Sequence, residues 1–118
     1  MAFMIKWTSI GMLDTVVLTP FNKFVGVYKL VLNNQTVYIG RAIEFKNGGF
    51  RKRLSDYRRP NNSGRKHQSG QLINKNISSL EVFIYKTGSD YAAARNAKKI
   101  EKNLILRYKP IWNKQFKI

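Results

Sequence analysis

The sequence predicts an α+β domain: a small central antiparallel three-stranded sheet flanked by helices, with an extra hairpin at the N-terminus. Three stretches carry that prediction. Residues 26–40, GVYKLVLNNQTVYIG, place β-branched and aromatic residues on both sides of an Asn-rich turn, the pattern of a β-hairpin. Leu80–Tyr85, LEVFIY, reads as a third strand. From Tyr91 to Tyr108 apolar residues recur at helical spacing, with Ser89 or Asp90 as N-cap and Pro110 just past the end.

In chain order, residues 3–8, FMIKWT, and 15–19, TVVLT, are expected as two short strands with a turn near Gly11, closed by Pro20. With the residues up to 22 they form an N-terminal extension. In the central hairpin, loop length decides which side chains share a face, because faces alternate along a strand. A two-residue loop at Asn33-Asn34 would set Tyr28 opposite Ile39 and turn Tyr38 away. A three-residue loop, Asn33–Gln35, sets Leu32 opposite Thr36, Leu30 opposite Tyr38 and Tyr28 opposite Gly40. The three-residue loop is the expectation, since of the two it alone brings both phenols to one side. After the Asn47-Gly48-Gly49 break, Phe50, Leu54 and Tyr57 mark a short amphipathic helix. Arg53 adjoins its stripe, while Arg51, Lys52 and Arg58 spread around it. Residues 58–71 have loop composition, and Gln71–Ile77 are expected as a short helix capped by Ser69.

A length of 118 residues fits one domain spanning the whole chain, able to bury roughly 65% of its unfolded surface. With no cysteine, disulfides and thiolate metal sites are excluded. Lys6 and Asp14 interrupt the apolar N-terminal residues, so neither a signal peptide nor a membrane span is expected, and a cytoplasmic location is. Charge dominates the composition: 22 Lys and Arg face 6 Asp and Glu, a formal +16. Such a field draws polyanions and makes their binding salt-sensitive, which points to nucleic acid. The cations are not laid out as one amphipathic helix, which argues against a membrane surface. Many cluster between Arg51 and Lys75, where Arg51, Lys52, Arg58, Arg59, Arg65, Lys66 and the lone His67 are candidate backbone contacts.

The long helix carries one further signal. Ala94, Ala97, Glu101, Leu104, Ile105 and Tyr108 follow one another by three or four, so Glu101 lies on or beside the apolar stripe. Arg95, Lys98, Lys99 and Lys102 point elsewhere. A carboxylate so placed needs a cation. It reads either as an ion pair with a nearby Lys or Arg, or as a one-carboxylate Mg²⁺ site completed by water and substrate phosphate.

Gly26-Val27-Tyr28, Tyr38-Ile39-Gly40, Arg53 in a following helix, Glu101 in a later one and Asn113 after a proline together resemble the GIY-YIG endonuclease superfamily. The match runs from Gly26 to Asn113. The tail EKNLILRYKPIWN, with YIGRA and RKRLSDY, is similar to the nuclease domain of the excision-repair incision enzyme. The size, the segment before the hairpin and the Trp-Asn ending look more like phage-encoded endonuclease II and related restriction enzymes. Two departures stand out. The stretch from Gly40 to Arg53 is longer than in the repair enzyme, with FKNGG as the extra residues, and Tyr57 stands where many homing-type members have His.

The resemblance implies the GIY-YIG fold and hydrolysis of DNA phosphodiesters, on double-stranded DNA, with Mg²⁺ or Mn²⁺. Glu101 would hold the metal, which polarises phosphate and assists the leaving oxygen. Arg53 would stabilise charge growing on the phosphoryl group. Tyr28 would be the general base for water, with adjoining cations favouring its ionised form. Tyr38 would position water or phosphate, Arg41 and Tyr57 would orient these groups, and Asn113 would close the site. One site cuts one strand, so a double-strand cut calls for a homo-oligomer or sequential events. The competing expectation is a non-catalytic DNA- or RNA-binding module of the same fold, with a ribosome-associated basic protein behind it. Taken singly, the tyrosines read as packing residues, Arg53 as surface charge and Asn113 as a turn.

Overall fold

The computed structural model describes residues 5–59 and 68–113. Four strands, β1 (Thr8–Met12), β2 (Val25–Leu32), β3 (Gln35–Ala42) and β4 (Glu81–Gly88), form one antiparallel sheet in the order β1-β4-β2-β3. Three helices, α1 (Gly49–Asp56), α2 (Gln68–Lys75) and α3 (Tyr91–Tyr108), complete the architecture.

The antiparallel α+β class is as expected, but among the described residues no N-terminal hairpin is formed; residues 3 and 4 of its expected first strand lie outside them. In its place the segment contributes one strand, β1, to the edge of the main sheet, so the sheet has four strands. Residues 15–19 are not a strand, for two reasons. Thr15 and Val16 donate their amides back to the Met12 carbonyl in a tight turn. The carbonyls of Leu13 and Val16 are then taken by the Arg58 guanidinium, at 2.9 and 2.6 Å. Pro20, which lacks an N–H, sits in a 3₁₀ turn at Thr19–Phe21.

The central hairpin corrects the expected loop and the expected Leu32–Thr36 pairing, but keeps the pairings of both tyrosines. Asn33 and Asn34 take φ of +51° and +65°, a two-residue turn of the type that suits strand twist and that Asn tolerates. Leu32 therefore pairs with Gln35 and Val31 with Thr36, but Leu30 pairs with Tyr38 and Tyr28 with Gly40. Val37 is the extra residue between those two registers, a β-bulge. The bulge supplies the odd count that a three-residue loop would have supplied.

The outer elements shift more modestly. Strand β4 runs on to Gly88, beyond Tyr85, because Lys86 and Gly88 pair with Gly26 and Val25. Helix α2 begins at Gln68, so Ser69 lies inside it and is not its cap. Helix α3 has the predicted bounds, with the Asp90 carboxylate accepting from the Ala93 amide at 2.9 Å and Lys109 in the left-handed conformation before Pro110.

The sheet separates two packed layers. On one face Val27 and Ile39 meet Ala97, Ile100, Leu104 and Ile105 of α3. Tyr108, expected on that stripe, is exposed, while Ala93 and Ile100 join it. On the other face Tyr28, Leu30, Val37 and Tyr38 pack with Phe50, Leu54 and Tyr57, from α1 and the residue after it, and with Ile73 of α2. Each fully buried side chain of this kind contributes roughly 1.5–3 kcal/mol of transfer free energy. Among the described residues no helix is long and apolar enough to cross a membrane.

Candidate active site

The buried face of the hairpin collects three phenols. Tyr28 lies across from Gly40, and the space a side chain would need there is filled by the Tyr28 ring and hydroxyl. Any Cβ at position 40 would collide with it, so the glycine of Tyr-Ile-Gly gives Tyr28 its berth. The Tyr28 hydroxyl is 2.7 Å from that of Tyr57. The Tyr38 ring stands 6.4 Å from the Tyr28 ring, centre to centre. Tyr57, the C-cap of α1, is fixed by the Asn74 side-chain amide of α2, which donates to its carbonyl at 2.7 Å. Burial pushes the hydroxyls of Tyr38 and Tyr57 above the usual phenol range, so both stay neutral donors at physiological pH. All three tyrosines are buried, Tyr28 completely.

Around the edge of β3 the surroundings change from apolar to charged. Arg41, Ile43, Glu44, Gly49, Arg53 and Glu101 line a cleft of about 270 Å³. Glu101 is only 2% exposed, yet its carboxylate forms part of that lining. One oxygen, Oε1, accepts from the Arg41 guanidinium at 2.8 Å. The other, Oε2, has no hydrogen-bond partner among the described residues. Desolvation raises the carboxyl above its ordinary value, and Arg41, then Arg53, opposes that rise. Arg53 is exposed, with its guanidinium carbon 6.0 Å from the centre of the Tyr57 ring. Its neighbours Tyr28 and Tyr57 push the guanidinium up, keeping it charged.

The ion-pair reading of Glu101 is thus realised, with Arg41 as the partner. A hard divalent cation fits the same place: the group is a buried carboxylate with a free oxygen facing an open, polar cleft. Among the described residues no three His, Cys, Asp or Glu side chains cluster. Glu101 would therefore be the protein anchor, with water and phosphate completing the shell.

The other expected residues divide. The Asn113 side chain is fully buried and grips one residue of β3, accepting from the Ile39 amide at 2.9 Å and donating to the Ile39 carbonyl at 2.8 Å. Its neighbour Trp112 donates its backbone amide to Val37, so this short segment hems the strand that carries Tyr38 and Arg41. Arg51 is exposed on α1, Lys52 pairs with Glu44 at 3.2 Å and Arg59 pairs with Asp56 at 2.7 Å. The Arg58 guanidinium donates to the Leu13 and Val16 carbonyls, through Nε at 2.9 Å and Nη2 at 2.6 Å. Arg65, Lys66 and His67, with most of the basic loop, lie outside the described residues. Sequence reasoning did not single out Asn74, Glu44 or Trp112. Asn74 carried no local signal, since its bond to Tyr57 joins residues 17 apart in the sequence.

No family model matches the sequence. The chain is 35% identical over 91 residues to UvrABC system protein C of Fusobacterium nucleatum, a match that covers 75% of this chain and 13% of that protein. It therefore spans a small part of the curated relative it matches. The fold resembles the GIY-YIG N-terminal endonuclease domain of UvrC from Thermotoga maritima, solved bound to its catalytic divalent cation, magnesium. That likeness has a TM-score of 0.54 and 25% identity, over 79% of this chain and 86% of the other. A point mutant of the same domain, also bound to the catalytic divalent cation, gives a TM-score of 0.55 at 23% identity, covering 80% and 87% of the two chains.

Proposed function

The chain belongs to the GIY-YIG superfamily, and on that premise we propose that it is a divalent-cation-dependent DNA endonuclease. Its substrate in this reading is the phosphodiester backbone of double-stranded DNA, and its setting is the cytoplasm. The observation that carries the proposal is the Glu101 carboxylate, buried but facing a cleft it shares with Arg41 and Arg53. A cationic cleft of this kind recruits phosphate, and the +16 charge raises the encounter rate.

A Mg²⁺ or Mn²⁺ ion bound at Glu101 would polarise the phosphate and ease departure of the leaving oxygen. The chain's own groups do the rest. Arg53 offers a planar fork of donors to the charge that grows on the phosphoryl oxygens. Arg41 has two competing partners, the carboxylate and the incoming phosphate, so binding of substrate draws it from Glu101. Tyr38 and Tyr57, kept neutral by burial, donate hydrogen bonds and orient Tyr28 and the incoming groups. Tyr28 in its phenolate form would take the proton from the attacking water and become the neutral phenol. Its hydroxyl is enclosed beside Tyr57, so this role requires its pocket to open to water when phosphate arrives. Asn113 holds the β3 backbone in place beneath these groups. A double-strand cut would need two copies or two successive nicks.

Replacing Glu101 tests the reading. Glu101→Ala is expected to reduce Mg²⁺-dependent nicking of plasmid DNA to background while salt-sensitive DNA binding persists. Absence of cleavage by the unaltered protein, with either Mg²⁺ or Mn²⁺ on any duplex, would defeat it. One observation favours a second reading, a non-catalytic DNA- or RNA-binding module: the Arg41 pair already occupies Oε1 of the carboxylate that the metal needs.

A further inference from the structure

Beside the Glu101 cleft, across the loop that follows β3, a second depression of about 490 Å³ opens between the Asn22-Lys23 turn and the outer side of α1. The loop is a shared wall. Glu44 and Gly49 face the cleft, and Phe45 to Gly48 face the depression. Five cations line the depression: Lys23, Lys46, Arg51, Lys52 and Arg59. Its one acidic residue, Asp56, is taken by Arg59, and Lys52 is matched by Glu44. Lys23, Lys46 and Arg51 have no carboxylate partner among the described residues, and all three are exposed.

These three charges come from separate parts of the chain, and gathering them in one concavity costs the fold self-repulsion. For Lys23, Lys46 and Arg51 no carboxylate among the described residues offsets that cost. The remaining lining is polar, with Asn22, Asn47 and Ser55 as neutral hydrogen-bonding groups. Nor does it offer a free stacking platform, because the Phe45 ring is met edge-on by Tyr91 at 6.3 Å and flanked by the Lys46 ammonium at 5.8 Å. Charge without a free aromatic face suits a sugar–phosphate backbone and does not suit unstacked bases.

We propose that this depression is a second backbone-binding site, in which Lys23, Lys46 and Arg51 hold phosphates of the duplex flanking the one that enters the Glu101 cleft. The identity of the polyanion rests on the nuclease reading; the site itself does not. Lys23 and Lys46 are assigned here as DNA contacts beside Arg51. The consequence is a protein that grips its substrate on both sides of one thin loop.

The test is the salt dependence of binding to a short DNA duplex, followed by fluorescence anisotropy without divalent cation so that no cutting intervenes. The double variant Lys23→Gln/Lys46→Gln is compared with Lys98→Gln/Lys99→Gln, which removes two exposed charges from α3. The first should flatten the slope of log K against log salt by about 1.8, or about 0.9 per lost phosphate contact, and the second by much less. Equal slopes in the two variants, or a slope like that of the unaltered protein in the first, would overturn the site. Plasmid cleavage by the unaltered protein is scored separately. A protein that never cuts but shows the slope change keeps the site and loses the nuclease reading, and one that cuts without the slope change does the reverse.

Discussion

The two faces of the sheet hold their polar groups in opposite ways. On the tyrosine face, Tyr28, Tyr38 and Tyr57 are neutral, buried and set among Leu30, Leu54 and Ile73. In the cleft at the β3 edge, Arg41 of β3, Arg53 of α1 and Glu101 of α3 are charged, and the two arginines reach solvent. The tyrosine side is fixed by shape, since the Tyr28 ring fits only over a glycine and Tyr57 is tied to α2. The charged side is fixed by an exchangeable ion pair. Shape keeps the hydrogen-bonding groups in register, and in the proposed function the charges would change partners when phosphate or metal arrives.

Three changes break or sharpen that contrast. The largest effect is expected on the fixed side. Asn113→Ala leaves the Ile39 amide and carbonyl without partners in the interior, each costing about 1–3 kcal/mol, so urea unfolding should show a loss of roughly 2–6 kcal/mol. A loss under 1 kcal/mol would mean that water replaces the clasp, and that β3 is held by the sheet alone. On the exchangeable side, Arg41→Gln removes the cation that competes for Oε1. Titration calorimetry on DNA-free protein should show Mn²⁺ binding about tenfold tighter, equal to about 1.4 kcal/mol. Unchanged or weaker binding would show that Arg41 supports the carboxylate and does not compete for it.

The smallest effect concerns alkaline pH. Tyr57 has its folded-state value raised above that of the unfolded chain, which ionises near ~10. The folded state therefore binds more protons above that pH. The stability this provides is complete below the unfolded value and is lost as pH climbs toward the folded one. Each such phenol adds at most about 1.4 kcal/mol per pH unit to that decline. Tyr57→Phe should make the fall in stability between pH 10 and 11 shallower by up to that amount (about one unit's worth). An identical slope would place the hydroxyl in contact with solvent.

Much of this arrangement could be read from the chain, and its failures have physical causes. Helix α3 was legible to the residue because a capping aspartate and a proline bound it, both acting within a few residues. The shared face of Tyr28 and Tyr38 was legible too, but for a different local reason. An odd number of residues separates Leu30 from Tyr38, and that parity can be met by an odd loop or by a bulge. The energetic preference for the Asn33-Asn34 turn chose the bulge. Strand β1 lies where a turn near Gly11 was expected, because its pairing with β4 is a contact between distant segments that local sequence does not report. Arg58 shows the same limit. Its sequence neighbours are basic and suggest a phosphate contact, whereas the carbonyls that claim it lie more than forty residues away. Glu101 was marked by its position on an apolar stripe, yet only the fold selects Arg41 from so many cations.

The Trp112-Asn113 segment bears on how two copies of this chain could associate. By occupying the Val37 carbonyl and both backbone groups of Ile39, it denies the outer side of β3 to strand addition from another molecule. At the far side of the sheet, β1 pairs with β4 alone. Edge-to-edge assembly would therefore join β1 to β1, place the two clefts at opposite ends of a continuous eight-stranded sheet and leave both open to DNA. A dimer that brought the clefts together for paired cuts would have to use side chains and helices, not backbone pairing.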